Sequence, residues 1–292
     1  MTAIHDVTEA KPPSSNGALL LGRVFRQRGA QIGLGLFAAI LCTALLGPFM
    51  APFGESEIVG RPYLAPTADH LLGTDALGRD VLSRVLYGGD VLIALSLAAV
   101  AIGYFIGVPL GLLAGFRRGA PDAIIQRMSE VMISFPGTIF ALLLIVGLGA
   151  APWVLVLGVA ANIIPRTAMI VRAATLEIAT RAFVERAVIR GERLAAILLR
   201  EILPNVWTPI IADGCTRFAT TVTFISSLSF LGFGLQPPAA DWSVMVNENR
   251  IALLIQPWAV LAPVMAISVL VVSLSLLGDA FAKAAALIET GS

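Results

Sequence analysis

Residues 183–205 read FVERAVIRGERLAAILLREILPN, the longest charge-rich stretch in a chain that is otherwise mostly apolar. Arg181, Glu185, Arg186, Arg190, Glu192, Arg193, Arg200 and Glu201 crowd together between two segments apolar enough to enter a bilayer. In hydrocarbon each ionised side chain costs roughly 2.5–3.5 kcal/mol even on the lenient insertion scale, so this insert has to stand in water. Phe183, Val184, Ala187 and Val188 recur at helical spacing with Glu185, Arg186 and Arg190 beside them, which predicts a short amphipathic helix. Gly191 follows where a left-handed C-terminal cap would sit. Leu194, Ile197 and Leu198 repeat the helical period, and Pro204 marks a point where a new helix can begin. Such a helix fits a docking knob for a partner protein and an ordinary solvated loop equally well.

The rest of the chain supplies the membrane. Its 292 residues are 57% apolar and 13% charged, with a mean hydropathy of +0.87. Soluble domains carry about 25% charged residues, so the chain reads as a polytopic membrane protein. A net charge of +1 argues against a nucleic-acid surface, which needs clustered positive charge. Cys42 and Cys215 both fall in apolar segments, and no structural disulfide is expected.

Six spans follow from the apolar runs. A polar tail over 1–28, with Pro12 to Ser15 as a flexible run, precedes an uncharged first span over 29–53. Residues 54–90 form a polar excursion that contains LGTDALGRDVLSRVLYGGD, Leu72 to Asp90. Leu77, Val81, Leu82 and Val85 share one side of a short helix there, and an interfacial position would let Arg79 and Arg84 reach headgroups. The second span, Val91 to Phe116, places Gly103, Gly107, Gly111 and Gly115 on one face, where small residues admit a neighbouring helix. The third runs from Ile124 to Gly149 with a kink expected at Pro136, and Arg127 is spaced to pair with Glu130. The fourth, Trp153 to Val171, contains Arg166, which suits either a pathway or pairing role or simple snorkelling. The fifth, Val206 to Phe230, contains Asp213 and Arg217 at ion-pair spacing, and the sixth runs from Trp258 to Gly278.

Charge sets the orientation. Lys11, Arg23, Arg26, Arg28, Arg117, Arg118, Arg127, Arg172, Arg181, Arg186, Arg190, Arg193, Arg200 and Lys283 fall on the side of the charged loop. Only Arg61, Arg79, Arg84 and Arg250 fall on the other. Positive charge collects on the cytoplasmic side, so the loop and both termini are expected there.

No catalytic constellation is present. His5 and His70 stand alone, so neither a histidine metal site nor a triad is expected. Lys11 and Lys283 are the only lysines, and neither lies in a Gly-rich phosphate loop, so the chain cannot hydrolyse ATP by that route. Any energy for uphill transport must arrive from another chain. An ion-coupled secondary carrier would favour buried acidic groups near the midplane, where only Asp213 qualifies.

Several strings resemble one family. Glu185-Arg186-Ala187, then Gly191, Leu203 and Pro204, resembles the Glu-Ala-Ala loop of ABC-importer membrane subunits, with Arg186 where a second alanine and Glu201 where an isoleucine is usual. Gly73-Thr74-Asp75, Leu77-Gly78-Arg79-Asp80 and Ser83-Arg84 resemble the dipeptide/oligopeptide/nickel branch of those permeases. Ser227 to Trp242 (SLSFLGFGLQPPAADW), with Phe230, Leu231 and Gly232, and the later Leu277-Gly278-Asp279 are similar to further family strings; the usual leucine-aspartate-proline ending is absent. The resemblance implies an all-α membrane fold of six transmembrane helices, with a type I ABC importer (methionine-permease-like) core over 91–283, a coupling loop over 172–207 and a tail over 284–292. It implies that Phe183, Val184, Glu185, Arg186, Ala187, Arg190 and Gly191 couple to an ATPase. It also implies a second homologous permease, two cytoplasmic ABC ATPase subunits carrying ATP and magnesium, an extracytoplasmic solute-binding protein, and a place in the bacterial inner membrane. Di- or oligopeptides are the implied cargo, with nickel or another small solute as the alternative.

Overall fold

The computed structural model describes residues 22 and 24–289. Most of the tail expected over 1–28, and the last residues of the tail expected over 284–292, lie outside the described residues. Among the described residues the regular elements are helical, apart from isolated bridges between Ile58 and Arg79 and between Thr74 and Asp80. In order they are α1 (Arg28–Met50), α2 (Val81–Tyr87), α3 (Asp90–Phe116), α4 (Ala120–Ser134), α5 (Gly137–Leu148), α6 (Pro152–Ile178), α7 (Ala182–Ile189), α8 (Leu203–Phe230), α9 (Trp242–Asn249) and α10 (Trp258–Glu289). A single turn, Leu194–Ala196, and a wide π-type turn, Ile197–Ile202, lead into α8.

Five helical stretches are long and apolar enough to cross a membrane, and α4 with α5 makes a sixth only as a pair bent by 82°. That break is far sharper than the kink expected at Pro136. Proline disfavours helical backbone in the residue before it, and Phe135 is extended at φ −82° and ψ 131°. α5 has 12 residues, about 18 Å of helix, and cannot cross the hydrocarbon by itself. Two other spans are longer than the hydropathy suggested: α6 runs on to Ile178, and α10 continues as helix to Glu289, into the segment expected to be tail.

α3 and α6 form the most extensive helix pair, and α8, α10 and α1 pack around them in sequence. The glycine stripe of α3 faces α6. A Cβ on Gly103 would lie 2.5 Å from the Ile163 side chain, and one on Gly107 would lie 2.9 Å from the Ile164 carbonyl oxygen. One on Gly111 would lie 2.6 Å from the Ala168 carbonyl, and one on Gly115 would lie 2.5 Å from Thr175. Lipid gives apolar helices no reason to associate, so this close approach, with its dispersion contacts, has to hold the pair.

The bundle has two ends. α7 stands at one, where α6 finishes and α8 begins; residues 54–89 and 231–257 meet at the other, called here the far end.

Gly107→Leu and Gly111→Leu should each separate α3 from α6, since an obstruction by backbone cannot be relieved by a rotamer change. An overpacking cost of about 1–3 kcal/mol or more is expected. It should appear as a lower melting temperature and reduced monodisperse yield in detergent.

Candidate functional site

The charged stretch folds as a rigid elbow. α7 turns inward with Val184 and Ala187 buried and Phe183 half-buried, while Glu185, Arg186, Val188, Ile189 and Arg190 are exposed. Val188 was expected on the apolar stripe but lies outside it, because the buried contact is only one turn wide. The helix ends in a Schellman pattern: the Gly191 N–H donates to the Val188 carbonyl at 2.9 Å and the Glu192 N–H to the Ala187 carbonyl at 3.2 Å. Gly191 takes φ +72°, the left-handed conformation that closes this pattern. Arg190 returns to Glu192 at 2.6 Å, bracing the bend.

The elbow is fastened to three spans at once. Val184 and Ala187 share one buried cluster with Leu112 of α3, Val171 of α6, Ile202 of the wide turn and Val206 and Ile210 of α8. Close by, Arg172 near the end of α6 grips Asp122 of α4 through two parallel bonds, the Nη2–Oδ2 contact being 2.8 Å. The expected Arg127–Glu130 pair also forms, at 3.4 Å, but Arg127 is 80% exposed and the pair adds little. Pro204 is exposed in the first turn of α8, on the same end as the elbow.

The GTDALGRD string is the centre of a buried knot at the far end, and here the structure corrects the expectation. Arg79 and Arg84 do not reach headgroups; their side chains are 2% and 0% exposed. Asp75 accepts from Arg79 Nε at 2.7 Å and Arg84 Nη1 at 2.9 Å. Glu248 on α9 accepts from the same two arginines at 2.8 and 2.7 Å. Two positive and two negative groups thus neutralise one another inside the protein. Arg84 also donates to the Ala239 carbonyl at 3.1 Å, which ties the QPP loop to α2.

The remaining letters hold the knot's backbone. Thr74 donates to the Arg61 carbonyl at 2.6 Å and accepts from the Leu64 N–H. Asp80 caps α2 by accepting from the Ser83 N–H at 2.8 Å, and its other oxygen lies 3.2 Å from His70 Nδ1. Gly73 and Gly78 have φ +72° and +78°, and a Cβ on Gly78 would strike the Gly60 carbonyl at 2.2 Å. Leu77, expected on the apolar side, is exposed instead. Trp242 completes the assembly, fully buried against Gly88 and Gly89, with its indole N–H donating to the Val85 carbonyl at 2.9 Å.

Asp241, just before Trp242, accepts from the N–H groups of Ser243 at 2.9 Å and Val244 at 3.3 Å, capping α9. Burial pushes its carboxyl above the usual carboxylate range, against the pull of those two donors. Phe230 and Leu231 end α8 at this same end, partly exposed, and Gly232 turns the chain at φ +87°. Asp279 is not near either assembly's centre; it lies exposed along α10, next to the Ala280 carbonyl that accepts from Gln27.

Between the ends, Arg217 meets Asp213 at 3.1 Å, and the Tyr104 hydroxyl donates to the other Asp213 oxygen. Glu248, Tyr104 and Asp122 are members of these polar assemblies that sequence reasoning missed. Each has its partner 50 or more positions away in the sequence. Among the described residues no cluster of three or more His, Cys, Asp or Glu could hold a metal ion.

Residues 107–286 match the family model described as binding-protein-dependent transport system inner membrane component. The chain is 35% identical over 260 residues to the glutathione transport system permease protein GsiD of Pectobacterium atrosepticum. It is 36% identical over the same length to the proteins of that name from Escherichia coli O6:K15:H31 and Shigella boydii serotype 4. Each match covers 88% of this chain and 86% of the relative.

Arg84→Met should leave buried Asp75 and partly exposed Glu248 with one cation between them, at a cost of about 3–5 kcal/mol, read as a large fall in detergent melting temperature. Asp241→Asn should behave oppositely. Asparagine caps as well as aspartate does, and it removes a carboxylate whose raised pKa costs folding stability once pH climbs past the unfolded value. Its melting temperature should match the parent at acid pH and equal or exceed it at neutral pH.

Proposed function

The chain belongs to the binding-protein-dependent transport system inner membrane component family, on its dipeptide/oligopeptide branch, and from that premise we propose that it forms half of the translocation pathway of an ATP-driven importer for di- or oligopeptides. It is a transport subunit of the inner membrane, working with other components of such a system, and not an enzyme. The relatives' names give glutathione as their cargo, which supports a small peptide here.

The proposed assembly pairs this chain with a second homologous permease, the pathway lying between them. Two ATPase subunits carrying ATP and magnesium sit beneath, at the cytoplasmic end, and a solute-binding protein sits above. The basic elbow and both termini then face the cytoplasm, in keeping with the charge asymmetry. Arg186 and Arg190, with exposed Val188 and Ile189, provide the docking surface, and Glu185 sets its charge pattern.

The observation that carries this reading is the burial of Val184 and Ala187 in one cluster with the ends of α3, α6 and α8. A knob so fastened transmits displacement to three spans together. Closure of the ATPases would therefore tilt the permease as a rigid body and alternate the access of the pathway.

Glu185→Arg and Gly191→Pro should both abolish ATP-driven uptake while membrane insertion, followed by fractionation, stays normal. The first places like charge in the docking surface; the second removes the Gly191 N–H bond and demands a φ near −65° where the chain has +72°. The unaltered chain should copurify with a cytoplasmic ATPase. Normal uptake by both variants would remove the coupling role.

A further inference from the structure

A half-open cleft of about 190 Å³ lies between α6 and α8, apart from both the elbow and the far-end knot. Asn162 and Arg166 line it from α6, and Arg217, Thr220, Thr221 and Phe224 line it from α8. On each helix the lining positions step by three and four residues, so each wall is a single helix face. Both arginines stand about 21 Å along their helices from the first residue, at 1.5 Å per residue. With about 30 Å of hydrocarbon to cross, that places both of them deep in the bundle, so Arg166 is not at a helix end from which it could snorkel.

The charges in the cleft do not balance. Asp213 answers Arg217 at 3.1 Å, and its second oxygen is taken by the Tyr104 hydroxyl. Among the described residues Arg166 has no carboxylate within ion-pair distance, and its Nε is buried without any hydrogen-bond partner. A guanidinium at this depth is expensive to keep. The partial opening of the cleft, the unpartnered Arg166 Nε and the net positive charge all suit a visiting anion. A planar carboxylate is what a guanidinium fork binds through two parallel bonds, and the Thr221 hydroxyl lines the same wall, whereas the Thr220 hydroxyl already donates to the Arg217 carbonyl at 3.0 Å.

We propose that this cleft is a station for the carboxylate of the transported solute, with Arg166 as its principal donor and Arg217 as the second positive charge. The inference rests on the transport reading above and narrows it: cargo must carry at least one free carboxylate. The volume admits that group and its nearest side chain, not a long peptide. A station of this kind compensates the anion for the water it leaves behind, so that it can cross the low-dielectric middle of the membrane.

The test uses the full transport complex reconstituted in vesicles with its solute-binding protein. Uptake is compared for Ala-Ala and Ala-Leu and for the C-terminal amide of each. The same solute-binding protein serves every permease variant, so its own preference cancels. Arg166→Gln should lower the acid-to-amide uptake ratio about tenfold or more, the worth of a charge-assisted hydrogen bond, and Arg166→Lys should restore part of it. An equal loss for acid and amide would overturn the station and leave the transport reading standing. Import of none of the four by the unaltered complex would instead overturn the transport reading, and this inference with it.

A second measurement does not depend on Arg166 variants folding. With Cys42→Ser and Cys215→Ala in place, Thr220→Cys should react several-fold faster with an anionic than with a cationic methanethiosulfonate reagent, and Ala-Ala should slow that reaction. Equal rates for the two reagents would overturn the proposal. So would protection by anionic lipid in the vesicle that Ala-Ala does not reproduce, since the anion would then be a headgroup.

Discussion

Close approach between α3 and α6 depends on four absent side chains. In water two apolar helices are driven together by the solvent; in hydrocarbon that drive is gone, and contact distance takes its place. Gly103, Gly107, Gly111 and Gly115 let α3 lie against carbonyls and β-branched side chains of α6, near enough for dispersion to act along the whole interface. α8 and α10 then pack on this pair, the elbow is held where α3, α6 and α8 end, and the cleft opens on the face of α6 turned toward α8.

Charge is handled differently at three depths. At the elbow end, the basic groups are mostly wet, and several of them, Arg181 and Arg190 included, pair with carboxylates that are themselves partly exposed. At the far end, two arginines and Asp75 are sealed away from solvent, and with the partly exposed Glu248 they satisfy one another. In the middle, the balance is incomplete by one guanidinium. Burying paired charge is seldom a route to stability, and an apolar filling of equal volume would often serve as well. What the knot adds is register. Arg79 and Arg84 connect Asp75, α2, the QPP loop and α9 in one arrangement that alternative packings of these short elements cannot satisfy.

Much of this was legible in the residues. Hydropathy located the five long spans, because segments that must satisfy their backbone inside lipid have few options beyond a helix. The left-handed cap at Gly191 and the glycine face of α3 followed from local rules that act over one or two turns. Misreadings came where the deciding partner was distant in sequence. Arg79 and Arg84 looked like headgroup anchors because Glu248, which helps neutralise them, sits more than 160 positions later. The sharp break at Phe135-Pro136 was foreseen in place but not in size, since hydropathy carries no angle. Arg166 was recognised as an anomaly, but only the facing wall from α8 shows that it opens on a cleft.

The sealing of the far-end knot has a consequence of its own. Mobile ions weaken attractions between charges they can surround, and over about 8 Å at physiological strength for exposed groups. Arg79, Arg84 and Asp75 admit no such ions, and their sum with Glu248 is zero. The scaffold at this end should therefore keep its shape in dilute or briny surroundings alike.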